Sequence, residues 1–294
     1  MSVPVNVIRA LSEISDRYEV LYCDLWGCLH DGRRVFPDAA RALIDFRAGG
    51  GTVILLTNSP RPRFEVARQL GVLQAPTDCY DDIASSGDAA QTALAAGQFG
   101  RKVFHLGPER DLPFFSDEEG RPFDIERVPL DEADGIVCTG LFDDRTETPD
   151  DYRLTLMRAK QRGLKMLCAN PDIQVDIGEQ RIYCAGALAR FYEELGGEAY
   201  YFGKPHPPIY DLARRRAESV RGTPVADAAI LCVGDGIATD IQGGMSEGLD
   251  TLFVTGGLAA VETGTTGSGP DPDKTAAYLA EAMLTPTAVI DRLR

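Results

Sequence analysis

The stretch "YEVLYCDLWGCLHDG", residues 18–32, runs an apolar segment straight into Asp24 and then turns at Gly27. "VLYC" has the composition of a short buried strand. An aspartate at the carboxyl end of a parallel strand faces the crevice in which α/β sheets bind ligands. A single strand-end aspartate serves equally well as a turn cap, so the meaning of Asp24 depends on what the rest of the chain places beside it.

Outward from this point, short β-rich runs alternate with helical patterns: "YEVLYC" then "DAARALIDFRAGG", "TVILLT" then "PRPRFEVARQLG", and later "AAILCVG" then "IATDIQGGMSEG". This alternation predicts right-handed βαβ units and an α/β fold with a Rossmann-like parallel sheet covered by helices. Pro37 and Pro62 stand where proline opens helices, and Gly49–Gly51 ends the first one. A second alternating set, "RKVFHLG", "FDIERVP", "DGIVCTG", "DDYRLTLMRAKQRG" and "KMLCANP", lies between the polar motifs and reads as an inserted α/β domain. The expected organisation is a core over residues 1–84, an insertion over 85–190 and the rest of the core over 191–294. Residues 262–273 read as a Gly/Pro/Ser-rich loop, with a C-terminal helix from about Asp273.

With 294 residues, 44% of them hydrophobic, the chain can bury a sizeable core. A formal net charge of −15 repels nucleic acid and anionic membrane surfaces over long range, so neither is an expected partner. A small phosphorylated metabolite remains compatible, because a bound cation or local N–H groups reverse the potential inside one cleft. The seven cysteines form no C-x-x-C pair and mostly sit in apolar runs, the pattern of reduced thiols in a cytoplasmic protein. No signal peptide or membrane-spanning stretch is legible.

Three further segments place polar groups at strand-to-helix junctions. "LLTNSP" sets Thr57, Asn58 and Ser59 ahead of a helix, where a hydroxyl and free N–H groups cradle phosphate oxygens or merely cap the helix. "FGKPHPP" fixes Lys204 between glycine and proline, where its ammonium can neutralise a phosphoryl group. "ILCVGDGIATD" presents Asp235 and Asp240 five residues apart after an apolar strand, a spacing suited to a hard cation and also to turn capping. Taken together, three carboxylates, a hydroxyl and a lysine at such junctions point to phosphoryl chemistry.

"DLWGCL", "LLTNSP", "GKP" and "GDGIATD", in this order, resemble the motifs of the haloacid dehalogenase (HAD) superfamily of hydrolases. The long insertion resembles the C2 cap of its class IIA branch of sugar-phosphate and nitrophenyl phosphatases. The resemblance covers residues from about 18 to 260. It implies that Asp24 attacks phosphorus to form an aspartyl phosphate, that Thr57 and the Asn58 backbone hold the phosphoryl oxygens, and that Lys204 balances charge. It implies Mg²⁺ held by Asp24, the backbone carbonyl of Trp26 and Asp235, with Asp240 in support. "CANPD" resembles a substrate-side motif of the cap, which makes Asn170 and Asp172 candidate specificity residues, although a turn role fits the same sequence. Caps of this branch often take part in homodimers.

At Trp26 the chain departs from the family pattern, which has an aspartate acting as general acid and base two residues after the nucleophile. An indole N–H can do neither. Three readings follow: a slow or narrow phosphatase that handles good leaving groups or borrows a proton from His30 or Asp31; a dehalogenase, against which the acidic "GDGIATD" argues; or a phosphometabolite-binding protein without turnover.

Overall fold

The computed structural model describes residues 5–177 and 180–294. In chain order the first half runs β1 (Val20–Cys23), α1 (Pro37–Ala48), β2 (Thr52–Thr57), α2 (Arg63–Val72), β3 (Asp82–Ser85), α3 (Ser86–Ala95), β4 (Lys102–Leu106), β5 (Glu126–Arg127) and β6 (Gly135–Cys138). It continues with α4 (Arg153–Gln161), β7 (Lys165–Cys168), β8 (Gln174–Ile177), β9 (Gln180–Tyr183), α5 (Ala185–Glu194), β10 (Glu198–Tyr201) and α6 (Pro207–Arg221). Last come β11 (Ile230–Gly234), α7 (Gln242–Ser246), β12 (Asp250–Val254), α8 (Pro272–Ala282) and β13 (Ala288–Ile290). The chain folds as two units: Met1–Thr57 with Gln69–Ala84 and Tyr210–Arg294, and Asn58–Arg68 with Ser85–Ile209.

The first unit is built on a six-stranded sheet in the order β13-β12-β11-β1-β2-β3. β1 lies at its middle and pairs in parallel with both β2 and β11. Every residue of β1, β2 and β11 is buried, which explains why these strands read as unbroken apolar runs rather than as alternating ones. Between β11 and β12 the expected helix begins with a wide turn over Ile237–Ile241, in which the N–H groups of Asp240 and Ile241 both donate to Gly236 O, before α7 takes over. Ile241, Phe253, Ala259, Leu279 and Val289 pack as one apolar cluster in this unit. The Gly-rich segment ends on Asp271, whose side chain accepts from the Asp273 and Lys274 N–H groups and so opens α8.

The second unit carries a five-stranded sheet in the order β10-β7-β6-β4-β5, again with parallel pairing, and the antiparallel β8–β9 ribbon. Its core gathers Leu106, Ile136, Leu156, Met166, Leu188 and Tyr192. The expected boundary at residue 190 falls short, because β10 hydrogen-bonds to β7 and carries this sheet on to Tyr201. Residues 58–68 also belong to this unit although they precede residue 85; contiguity in sequence hid this detour. All seven cysteines are buried thiols outside any disulfide. Among the described residues no helix is long and apolar enough to cross a membrane.

His105, near the end of β4, is a half-buried imidazole whose pKa is lowered to about 4, first by burial and then by the nearby Arg127 guanidinium. Its folded value lies below the ordinary 6.5, so the unfolded chain takes up the proton first as pH falls. The stability associated with a neutral His105 is therefore present above about pH 6.5 and is lost progressively down to about pH 4. Denaturant unfolding of the wild type across that window should show falling stability, and His105→Gln should lessen the slope there, with His30, lowered likewise to about 4, keeping its own share.

Candidate active site

The active-site candidate starts from register. Cys23 pairs with Val233 across β1 and β11, and the Asp24 N–H donates to Val233 O at 2.8 Å. Two chain ends thus leave the sheet side by side, one carrying Asp24 and the other Asp235. Asp24, Cys28 and Asp235 are all buried and offer ligand-capable atoms within 4.8 Å of one another.

The backbone is fitted closely around Asp235. Its Oδ2 accepts the Leu258 N–H at 2.9 Å. A Cβ at Gly27 or at Gly257 would fall 2.0 Å from that same oxygen, and Gly27 also has φ +74°, so both positions require glycine. Asp240 is packed behind the end of β11: its Oδ2 accepts from the Gly236 N–H at 3.1 Å and the Thr239 hydroxyl at 3.2 Å, and a Cβ on Gly234 would lie 2.1 Å from its own Cβ. Burial, with the Asp235 and Asp24 carboxylates next, holds the Cys28 thiol well above its ordinary range, so it stands in the cluster as a neutral group. Two buried carboxylates at this separation repel each other unless a positive charge lies between them. Carboxylate oxygens are the donors that a hard divalent cation takes, and the set fits one.

Trp26 points its indole into the turn that follows β1. Its ring meets the His30 ring edge to face, with centroids 5.4 Å apart. A Cβ at Gly32, which has φ +80°, would lie 2.2 Å from its Cη2. His30 is 1% exposed, its Nδ1 accepts the Gly32 N–H at 3.1 Å, and burial lowers its pKa to about 4 against the opposing pull of Asp31. It is a neutral imidazole at pH 7. Desolvation works to raise Asp31, but the Arg33 and Arg34 N–H groups and the Arg34 guanidinium outweigh it, so Asp31 is held ionised below the usual carboxylate range.

Thr57 ends β2 in the first unit and is buried there. The second unit brings Asn58 and Lys204 together. Asn58 Oδ1 accepts the Lys204 N–H at 2.7 Å, and its Nδ2 donates to Lys204 O at 3.1 Å and to Asp172 Oδ1 at 2.8 Å. Its carboxamide thus pairs with both main-chain groups of Lys204, as a neighbouring strand would. Both residues are almost fully buried. Gly203 permits the approach, since a Cβ there would sit 2.4 Å from Asn58 Oδ1. Asn170 accepts the Asp172 N–H at 2.9 Å and so closes the "NPD" turn, from which Asp172 reaches Asn58. Ser59 accepts the Arg61 N–H at 3.3 Å and holds the turn into α2. Sequence reasoning assigned Asn58 by its backbone and missed its side chain, and it missed the Gly257–Leu258 support of Asp235. For the latter a signal was present, the Gly256–Gly257 pair just after β12.

Two family models match the chain: haloacid dehalogenase-like hydrolase over residues 21–118, and HAD-hydrolase-like over residues 201–282. A solved hydrolase of the haloacid dehalogenase-like family from Brucella suis is 42% identical over 98% of this chain and 100% of its own, with a TM-score of 0.85. The 5'-nucleotidase YutF of Bacillus subtilis is 26% identical over 83% of this chain and 90% of its own. The ribonucleotide monophosphatase NagD of Escherichia coli is 27% identical over 82% and 88%.

The pairing of Asn58 with Lys204 has a direct test in stability. Asn58→Asp would turn a carboxylate oxygen, in place of a donor, toward two acceptors, Lys204 O and Asp172 Oδ1, and should destabilise the protein by about 3 kcal/mol or more. Asn58→Ala, which takes this partner from the Lys204 main chain and from Asp172 Oδ1 without adding a repulsion, should cost about 1–3 kcal/mol. Chemical denaturation followed by circular dichroism ranks the two, and equal effects would contradict the described pairing.

Proposed function

Because this chain belongs to the haloacid dehalogenase-like hydrolases and is a phosphatase of that superfamily, we propose that it is a class IIA, Mg²⁺-dependent enzyme. Its substrate is a small phosphate ester with an acidic leaving group. The observation that carries this reading is the convergence of Asp24 and Asp235 from adjacent strand ends in one buried cluster.

Asp24 is the nucleophile. One of its carboxylate oxygens forms a bond to phosphorus as the bond from phosphorus to the leaving oxygen breaks, and the leaving group departs as an alkoxide or phenolate that takes its proton from solvent. Water then attacks the aspartyl phosphate at phosphorus, releases inorganic phosphate and restores Asp24. Asp24, Asp235 and the Trp26 carbonyl are the residues that would hold the cation, with Asp240 keeping the loop after β11 in place. When bound, the cation cancels the charge of carboxylate and phosphoryl group and so permits their approach. The Thr57 hydroxyl and the Asn58 N–H hold phosphoryl oxygens, while Lys204, fixed by the Asn58 side chain, supplies positive charge. The second unit acts as the cap, with Asn170 and Asp172 in the turn that governs substrate choice.

Trp26 shapes the substrate range. With no proton donor two residues after the nucleophile, and with His30 neutral and Asp31 ionised, an alkoxide leaving group departs unprotonated. Loss of a placed general acid reduces rate by about 10²–10⁴, or roughly 3–5 kcal/mol of barrier. A phenolate needs no such help.

Phosphate release with Mg²⁺ should therefore be at least about 100-fold faster from phenyl phosphate than from ethyl phosphate, and absent from Asp24→Asn. Equal, rapid release from both esters would overturn the account of Trp26, and no Mg²⁺-dependent release from any ester would overturn the phosphatase reading. Gly257→Ala tests the cation site separately. Its methyl group displaces Asp235, so the rise in melting temperature produced by Mg²⁺ in the wild type should shrink sharply in the variant.

A further inference from the structure

Cys28 has no part in the steps above, yet its thiol is one of the three ligand-capable groups in the buried cluster with Asp24 and Asp235. All three residues belong to the first unit. Cys28 is 1% exposed, and among the described residues its thiol makes no hydrogen bond. The thiols of Cys23, Cys138 and Cys168, equally buried, each donate to a main-chain carbonyl. Cysteine often serves as a small apolar filler. A filler belongs among apolar atoms, whereas this thiol stands with two carboxylates.

The turn that aims it is closed on itself. The Leu29 and His30 N–H groups both donate to Leu25 O at 2.9 Å, and the Gly27 N–H donates to His30 O at 2.9 Å. Cys28 lies inside that ring of bonds, so its main chain is fixed relative to Asp24. Gly27, where a Cβ would fall 2.0 Å from Asp235 Oδ2, brings the backbone just before Cys28 against the second carboxylate. The three ligand atoms lie within 4.8 Å of one another, and the centre of a triangle of that side is about 2.8 Å from its corners, so zinc bonds of about 2.3 Å to sulfur and about 2.1 Å to oxygen need only a small contraction.

We propose that Cys28 is a third protein ligand for a borderline-soft divalent cation of the zinc class, held together with Asp24 and Asp235 in place of Mg²⁺, and that this exchange stops turnover. The arrest of turnover rests on the phosphatase reading above. Hard Mg²⁺ takes oxygen donors and leaves a thiol alone, whereas Zn²⁺ takes thiolate sulfur as well as carboxylate. When Cys28 ligates, its S–H bond breaks, the electron pair goes to the sulfur–metal bond and the proton passes to solvent. The thiolate adds a negative charge beside the phosphoryl group and so opposes the approach that Mg²⁺ permits.

Cobalt is the spectroscopic probe, because thiolate ligation gives Co²⁺ a charge-transfer band in the near ultraviolet that oxygen ligands do not. Titrated with Co²⁺, the wild type should develop this band. Cys28→Ser should lose it although the other six cysteines remain, and Asp235→Asn should weaken it. Zn²⁺ should raise the melting temperature of the wild type more than that of Cys28→Ser. During Mg²⁺-dependent hydrolysis of phenyl phosphate, the Zn²⁺ concentration that halves the rate should be at least about tenfold lower for the wild type than for Cys28→Ser, each relative to its own zinc-free rate. Should the variants fail to fold, zinc-edge X-ray absorption of the loaded wild type decides alone: one sulfur beside oxygen donors supports the ligation, and oxygen or nitrogen donors only overturn it. A wild type that hydrolyses phenyl phosphate but shows no cobalt band, or the same band as Cys28→Ser, overturns this inference and leaves the phosphatase reading standing. Equal sensitivity of the two proteins to Zn²⁺ overturns the arrest of turnover. A cobalt band that depends on Cys28, in a protein that releases no phosphate from any ester, overturns the phosphatase reading and supports the ligation.

Discussion

The hydrogen bond from the Asp24 N–H to Val233 O fixes where one carboxylate leaves the sheet relative to another. It extends the parallel pairing of β1 and β11 by one residue past Cys23. A slip by one residue would draw Glu19 or Asp24 into a strand that is buried along its whole length, and a carboxylate buried there without a partner is strongly unfavourable. Apolar packing on both faces therefore holds a polar geometry that polar forces alone would drive apart. Two carboxylates within 4.8 Å are an unstable pairing in isolation, and the folding energy of the surrounding strands keeps them there.

The second unit applies the same logic with different chemistry. Lys204 is a buried lysine, and a lysine on its flexible stem has wide freedom unless its main chain is held. The Asn58 carboxamide holds that main chain by two hydrogen bonds, and Gly203 lets it come close enough to do so. Asp172 takes the remaining Asn58 donor. One amide group thereby joins the turn after β7 to the segment after β10, and the strand order β10-β7 sets those two segments side by side.

The strands of the first sheet were legible because fully buried parallel strands are continuous apolar runs, and "VLYC", "TVILLT" and "ILCVG" are such runs bounded by polar residues. Asp24 and Asp235 were legible because each follows one of them directly, and Asp240 because it stands five residues beyond Asp235. The end of the inserted sheet was not, since β10 is the half-exposed "EAYY", which carries no apolar signal and becomes a strand through its pairing with β7. α3 was equally silent: its "SGDAAQTALA" is short on large apolar residues, and the Ser85 side chain that caps it becomes informative only when Asp88 N is seen to donate to it. The Asn58–Lys204 pairing joins residues 146 apart, a separation at which no local pattern carries information.

Trp26 is better understood as a built feature than as a lost acid. Gly32 takes a left-handed backbone and leaves a space that a single methyl group would fill, and the indole occupies it. His30 turns its ring edge-on to the indole and is itself buried, with its Nδ1 tied to the Gly32 N–H. A bridge between the backbones of Trp26 and His30 closes the loop. An aspartate at position 26 would leave the indole-shaped space empty, at a penalty that scales with the cavity, and would add a third carboxylate near Asp24 and Asp235. The surrounding turn has thus been fitted to an aromatic ring, which packs against Gly32 and His30.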